Sequence, residues 1–116
     1  MNDQADDRVP VRFGPPRGDE AVLVEGDADV PSARVVARFR LAPARRGHPA
    51  FCSCCVPRGA VAEALARLFL ARARGEAPWF CSVAVLATPE GLAAVRAALA
   101  DDQVSRARYV LSVTNC

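Results

Sequence analysis

Three of the five cysteines of this chain lie within four residues, as Cys52-Ser53-Cys54-Cys55. Thiolates are soft anionic ligands, and cysteines this close along the chain are poorly placed to form disulfides with one another. They can instead converge on a single thiophilic ion. We therefore interpret the motif first as a metal site or a redox site.

Zinc is the ion that this cluster favours, because structural zinc sites take a tetrahedral set of sulfur and nitrogen ligands. In an extended segment Cys52 and Cys54 share a face, and Cys55 joins them if the backbone turns at the nearby proline and glycine. His48, the only histidine, lies four residues before Cys52 and is a candidate fourth ligand. The alternative is that the three thiols bind no ion and that His48 is simply solvated.

A thiol redox centre is the second interpretation of the same cysteines. Cys52 and Cys55 have C-x-x-C spacing and precede a predicted helix, whose N-terminus lowers the pKa of a thiol. In a thioredoxin-like site a strand comes directly before the motif, whereas this motif follows a loop that contains Pro43, Gly47 and Pro49. The spacing of these residues also does not by itself place a general base next to a nucleophilic cysteine.

The basic residues argue against nucleotide hydrolysis, because all fifteen are arginine and none is lysine. A phosphate-binding loop of the G-x-x-x-x-G-K-[ST] type needs a lysine that reaches the β- and γ-phosphates. The nearest segment, residues 14–20, has two prolines without N–H donors and an acidic pair where the cation belongs. We therefore expect no GTP binding through such a loop, and the protein is not expected to be an enzyme.

Composition sets the class of protein. A chain of 116 residues with 52% hydrophobic residues can bury a core without needing disulfides or a structural metal ion. Its net charge of +2 favours binding neither to nucleic acid nor to a membrane surface. No apolar run approaches the roughly eighteen residues of a membrane span, and residues 1–7 lack the apolar core of a signal peptide. We expect a cytoplasmic protein, where clustered cysteines are more often ligands or redox groups than disulfides.

The elements that would position the cysteines alternate between strand and helix. Residues 1–20 are predicted to form a flexible polar tail with at most a short edge strand, and residues 21–116 one α/β domain. Strands are predicted over 21–24, 34–41, 80–87 and 109–113, and helices over 57–73 and 88–102. This order predicts an α/β fold with a mostly parallel sheet and crossover helices.

Several side chains have predicted structural roles. Thr88 is expected to cap the second helix, ahead of Pro89 at its first position. We predict that Trp79 and Phe80 anchor the core or its edge, and that Cys81 packs there as a small hydrophobic residue. The inward stripe of the first helix is expected to consist of Val61, Ala64, Leu65, Leu68 and Phe69.

From the cysteine motif onward, over about residues 48–116, the chain resembles the CobW-type GTPases. These are metallochaperone relatives of the maturation factors for cobalamin, urease and hydrogenase. The family carries G-C-x-C-C followed by Arg-Gly at a helix start, and the matching residues here are Phe51-Cys52-Ser53-Cys54-Cys55-Val56-Pro57-Arg58-Gly59. The resemblance implies a partial P-loop NTPase-like core, here without the phosphate-binding loop.

The departures from the family limit what the resemblance implies. Of the family's Glu-Thr-Thr-Gly signature only Thr88 matches, with Leu86 at the glutamate position, and the guanine-binding Asn-Lys-x-Asp has no counterpart. The resemblance therefore implies a degenerate metallochaperone domain that binds Zn²⁺, or Co²⁺ or Ni²⁺, without hydrolysing GTP. A metalloprotein client or a second copy of the chain is the implied partner. The alternatives are a GTPase fragment completed by a partner protein, or a thiol redox protein.

Overall fold

The computed structural model describes residues 8–30, 33, 35–41 and 59–112. They contain a five-stranded sheet in which every neighbouring pair of strands is parallel, in the order β3-β2-β4-β1-β5. The strands are β1 (Val9–Phe13), β2 (Ala21–Glu25), β3 (Val36–Phe39), β4 (Val83–Leu86) and β5 (Tyr109–Leu111). The helices are α1 (Ala60–Ala73), α2 (Pro89–Asp101) and α3 (Gln103–Arg108).

The helices connect strands that are not neighbours in the sheet. α1 links β3 to β4 across β2, whereas α2 and α3 link β4 to β5 across β1. The three helices contact one another, so they form a single layer. The prediction of an α/β fold with a parallel sheet and crossover helices is confirmed. None of the helices in the described part of the chain is long and apolar enough to cross a membrane.

The main core lies between this helix layer and one face of the sheet. Val11, Leu23 and Val83 lie on that face and are fully buried, and the predicted inward residues Val61, Ala64, Leu65 and Leu68 of α1 pack against it. On the opposite face Val22, Val24 and Ala84 are buried as well. Burying one such branched side chain contributes about 1.5–3 kcal/mol, so the central strands supply much of the stability.

β1 differs from the expectation of a tail with at most an edge strand. It lies inside the sheet, where it pairs with β4 on one side and β5 on the other, and Val9 and Val11 belong to the core. The run is only five residues long and is interrupted by Arg12, so its hydrophobic pattern is weak. Arg12 is tolerated there because Glu20 compensates its charge, which is a contact of the folded chain.

The predicted aromatic anchors take different positions. Phe80 is buried, as predicted, but Trp79 is 65% exposed, so its placement in the core or at its edge is wrong. The Arg72 guanidinium lies 4.1 Å from the centre of the Trp79 ring, and its Nη1 donates a hydrogen bond of 2.7 Å to the Phe80 carbonyl. The cation–π contact and the hydrogen bond together fix the turn between α1 and β4 without burying the indole.

Candidate functional site

The four residues predicted to bind metal, His48, Cys52, Cys54 and Cys55, lie outside the described residues. Their segment follows β3 in the chain and precedes α1. Within residues 8–30, 33, 35–41 and 59–112, no three or more His, Cys, Asp or Glu side chains are grouped so as to hold a metal ion. The metal site therefore stays a prediction from the sequence.

Cys81 is disulfide-bonded, so the prediction that it packs as a free thiol is wrong. It is half-buried just before β4 and is the only cysteine in the described part of the chain. A sulfur held in a disulfide cannot bind a metal as a thiolate. Any test of the metal site must therefore control the redox state.

A different site, which the sequence analysis did not identify, lies at the carboxyl edge of the sheet. A cavity of about 630 Å³ opens where β1 and β5 end, within the 300–1,000 Å³ typical of ligand pockets. Ligands of parallel α/β proteins commonly bind outside the carboxyl ends of the strands. We call it the arginine cavity, and its lining residues are Arg12, Phe13, Arg17, Arg96, Leu111 and Ser112.

Arg12, one of the lining residues, forms a buried ion pair with Glu20. Arg12 is 5% exposed and Glu20 is 3% exposed. Arg12 donates from Nε to Oε2 of Glu20 at 3.1 Å and from Nη2 to Oε1, and Nη2 also donates to the Pro15 carbonyl at 2.8 Å. Glu20 further accepts from the Arg17 backbone N–H at 2.7 Å and from the Ser82 hydroxyl at 2.9 Å. The guanidinium is thereby fixed in orientation.

The ionisation of this pair follows from its partners. Burial by itself raises the pKa of Glu20, because it withdraws water from the carboxylate, but hydrogen bonds from Arg12, the Arg17 N–H and Ser82 lower it further than burial raises it. The same hydrogen bond raises the pKa of Arg12. Both groups are charged at neutral pH, so the pair contributes no net charge to the cavity.

One nitrogen of Arg12 remains available to the cavity. Nη1 makes none of the hydrogen bonds to Glu20 or Pro15. No buried side-chain nitrogen or oxygen of the described residues lacks a partner, so Nη1 is accessible, and Arg12 is one of the residues that line the cavity. A Cβ at Gly14 would lie 3.3 Å from Nη1, and the φ of 131° at Gly14 also favours glycine. The glycine keeps the approach to Nη1 open.

Two further arginines line the cavity. Arg17 and Arg96 are both exposed, and Arg96 lies 5.1 Å from the centre of the Phe13 ring. Neither side chain donates a hydrogen bond to a described residue or forms an ion pair with one, and no carboxylate is among the lining residues. The cavity therefore combines two uncompensated positive charges with the apolar surfaces of Phe13 and Leu111.

A signal for this site is present in the loop of residues 14–20. This loop does not match a lysine-type phosphate cradle, partly because an acidic pair stands at its end. In the fold Glu20 pairs with Arg12 and does not line the cavity, whereas Arg12 and Arg17 are lining residues. The loop is thus no lysine-dependent phosphate loop, but it supplies arginine to a different kind of site.

The comparisons with known proteins find no matching family model, no matching curated protein and no matching solved structure. The resemblance to CobW-type GTPases therefore rests on the quoted residues alone. The α/β fold stands on the strand pairing itself, whereas a P-loop NTPase-like core stays an interpretation.

Proposed function

We propose that this protein binds a thiophilic divalent metal ion, zinc first, through the thiolates of Cys52, Cys54 and Cys55. The observation that carries the proposal is the spacing of these cysteines, which allows three soft ligands to reach one ion. His48 is the candidate fourth ligand. By the resemblance to CobW-type GTPases, Co²⁺ and Ni²⁺ are the alternative ions. The bound ion is stored, delivered to a metalloprotein client or used as a structural clip, without GTP hydrolysis.

Two features of the fold support a site in this segment. Leu41 and Gly59, which flank residues 42–58, line one cavity of about 420 Å³, so the two ends of the segment lie near each other. A loop with closed ends loses less entropy when its ligands gather on an ion. Gly59 is also the N-cap of α1, and because glycine has no side chain it cannot cap the helix with a side-chain hydrogen bond. The positive end of the helix favours thiolates placed shortly before it.

A thiol redox function is the second candidate, because Cys81 is disulfide-bonded. Its chemistry requires that a thiolate attack this disulfide and that the bond re-form by exchange. The two candidates make different demands on the cysteine cluster. Metal binding requires all three thiolates in the reduced protein, whereas redox exchange requires Cys81 and one reactive partner.

The proposal is tested by titrating the fully reduced, metal-free protein with Co²⁺ in the absence of oxygen. We expect thiolate-to-cobalt charge-transfer absorption that saturates at one equivalent and is removed by Zn²⁺, which binds such sites more tightly. Replacing Cys52, Cys54 and Cys55 together by serine should abolish the absorption. C116S is the matched control, because it removes a cysteine outside the motif and should leave the absorption unchanged.

Replacing Cys81 distinguishes the metal-binding function from the redox function. In the reduced protein, Cys81→Ser should leave cobalt binding intact if the cluster alone holds the ion, and should abolish thiol–disulfide exchange if the function is redox. No charge-transfer absorption from the reduced, unmutated protein would overturn the metal proposal. A low thiol pKa with exchange activity, and no such absorption, would favour the redox candidate instead.

A further inference from the structure

We infer that the arginine cavity binds the phosphate group of a small phosphate monoester with an apolar organic part. The cavity shares no residue with the proposed metal site, and the inference does not depend on that proposal. The inference rests on the net charge of the cavity, on the fixed guanidinium of Arg12 among its lining residues and on the apolar surface of Phe13 and Leu111.

Charge balance favours a phosphate group over a carboxylate. The Arg12–Glu20 pair is neutral overall, so the net charge of the lining comes from Arg17 and Arg96, one positive charge each. A phosphate monoester carries about −1.5 to −2 charges at pH 7 and presents three acceptor oxygens. A monocarboxylate would leave one guanidinium charge unmatched. The two charges of the cavity thus match those of a phosphate monoester.

The donors are arranged for an anion of this kind. Arg12 is held by Glu20 and the Pro15 carbonyl, so its Nη1 is oriented before any ligand arrives and loses little entropy on binding. Arg17 and Arg96 are exposed and unpaired within the described part of the chain, so they are free to close over the ligand. The planar forks of N–H groups on Arg17 and Arg96 fit phosphate oxygens two at a time, whereas Arg12 offers only Nη1.

The remaining surface of the cavity selects an organic phosphate over the free ion. Leu111 is 44% exposed and Phe13 is half-buried, which places apolar surface beside the guanidinium groups. The volume of about 630 Å³ also leaves room beyond a single phosphate group. A triphosphate is disfavoured, because the chain has no lysine to reach its terminal phosphates.

The test measures binding of phenyl phosphate, inorganic phosphate and phenylacetate to the full-length protein at constant ionic strength. Calorimetry gives the affinity, and the amide NMR signals of Gly14 and Arg17 report the location. We expect phenyl phosphate to bind most tightly and to shift both signals. The double variant R17Q/R96Q should lose at least about tenfold in affinity, because it removes both uncompensated guanidinium groups.

The matched control is R74Q/R106Q, which removes the same charge from two exposed arginines that do not line the cavity. It should bind phenyl phosphate within about twofold of the unmutated protein, since distant exposed charges are screened by salt. The inference is overturned if R17Q/R96Q binds as tightly as the unmutated protein, or if both double variants lose affinity equally. If phenylacetate binds as tightly as phenyl phosphate, the phosphate inference is also overturned, and the cavity is a site for carboxylates. Circular dichroism verifies that each variant is folded.

Discussion

The Arg12–Glu20 pair is a residue-level feature that joins the end of β1 to the start of β2. Both side chains are almost fully buried, and Ser82 and the Arg17 N–H complete the hydrogen bonds of the carboxylate. A buried charge that loses its partner cannot recover the hydration that it gave up on folding. Breaking the pair is therefore expected to destabilise the fold, and its hydrogen bonds also fix the orientation of the Arg12 guanidinium.

Glu20→Ala is expected to lower the free energy of unfolding by about 3–5 kcal/mol, because it leaves the buried Arg12 guanidinium unpaired. Urea denaturation followed by circular dichroism measures the change. Asp27→Ala is the matched control, since Asp27 pairs with Arg40 while their side chains are 78% and 68% exposed. The control should cause no measurable change. Similar effects of the two substitutions would contradict the role assigned to Glu20.

The pH dependence of stability should also reveal Glu20. Its pKa is lowered in the folded protein, so its ionisation stabilises the fold above the unfolded-state pKa of about 4.3. That stabilisation is lost as the pH falls through the lower pKa of the folded state. In urea titrations, the difference in stability between the unmutated protein and E20Q should therefore shrink below about pH 4. A difference that stays constant down to acid unfolding would exclude this linkage.

At the level of the elements, the start of α2 is held by a local cap, Thr88, and by a residue far away in the chain, Glu25. Thr88 caps the helix, as the sequence predicts, and its Oγ1 accepts a hydrogen bond of 3.1 Å from the Gly91 N–H. Glu25 at the end of β2 accepts from the Thr88 N–H at 2.9 Å and from its hydroxyl at 2.7 Å. The carboxylate ties β2 to the positive end of α2. Only the local half of this junction could be predicted.

Gly91→Ala is expected to destabilise the protein by about 1–3 kcal/mol, although alanine is the better helix former. A Cβ at position 91 would lie 2.8 Å from the Cβ of Ala87 and would also clash with the Glu25 carboxylate. Gly59→Ala is the control, because a Cβ there has no neighbour within 4 Å among the described residues. Thermal unfolding compares the two variants. A larger loss for Gly59→Ala would show that close packing at α2 is unimportant.

The molecule as a whole is held together where the helix layer meets the edge of the sheet. The Tyr109 hydroxyl, on β5, donates a hydrogen bond of 2.6 Å to the Leu65 carbonyl in the middle of α1. The Phe69 ring lies edge-on to the Tyr109 ring with centroids 6.1 Å apart. Burial raises the pKa of Tyr109, and the nearby positive charges of Arg72 and Arg108 only partly oppose this. The phenol therefore stays protonated while the fold is intact.

Tyr109 is the only tyrosine, so its phenolate absorbance reports unfolding of the whole molecule at alkaline pH. The folded-state pKa is raised, so its contribution to stability is complete below the unfolded-state pKa of about 10 and is lost as the pH rises above it. We expect phenolate absorbance to appear together with the loss of far-ultraviolet circular dichroism. Tyr109→Phe should cost about 0.5–1.5 kcal/mol at neutral pH. Ionisation near pH 10 with an intact fold would refute this assignment.

The sequence by itself determined the features that depend on neighbouring residues. Hydrophobic periodicity located β2, β4 and the buried stripe of α1, and the Thr-Pro pair located the start of α2. The alternation of these elements then fixed a parallel α/β sheet. The close spacing of Cys52, Cys54 and Cys55 is a signal of the same local kind, and it defines the metal proposal.

Only the tertiary structure decided what depends on residues far apart in the chain. It placed β1 between β4 and β5, exposed Trp79 and brought Arg12, Arg17 and Arg96 to one cavity. Each of these outcomes depends on contacts between residues that are distant in the chain, and a hydrophobic pattern along the sequence does not identify such partners. Periodicity reports which side of an element is apolar, whereas the strand order and the match of buried charges are settled when the whole chain packs.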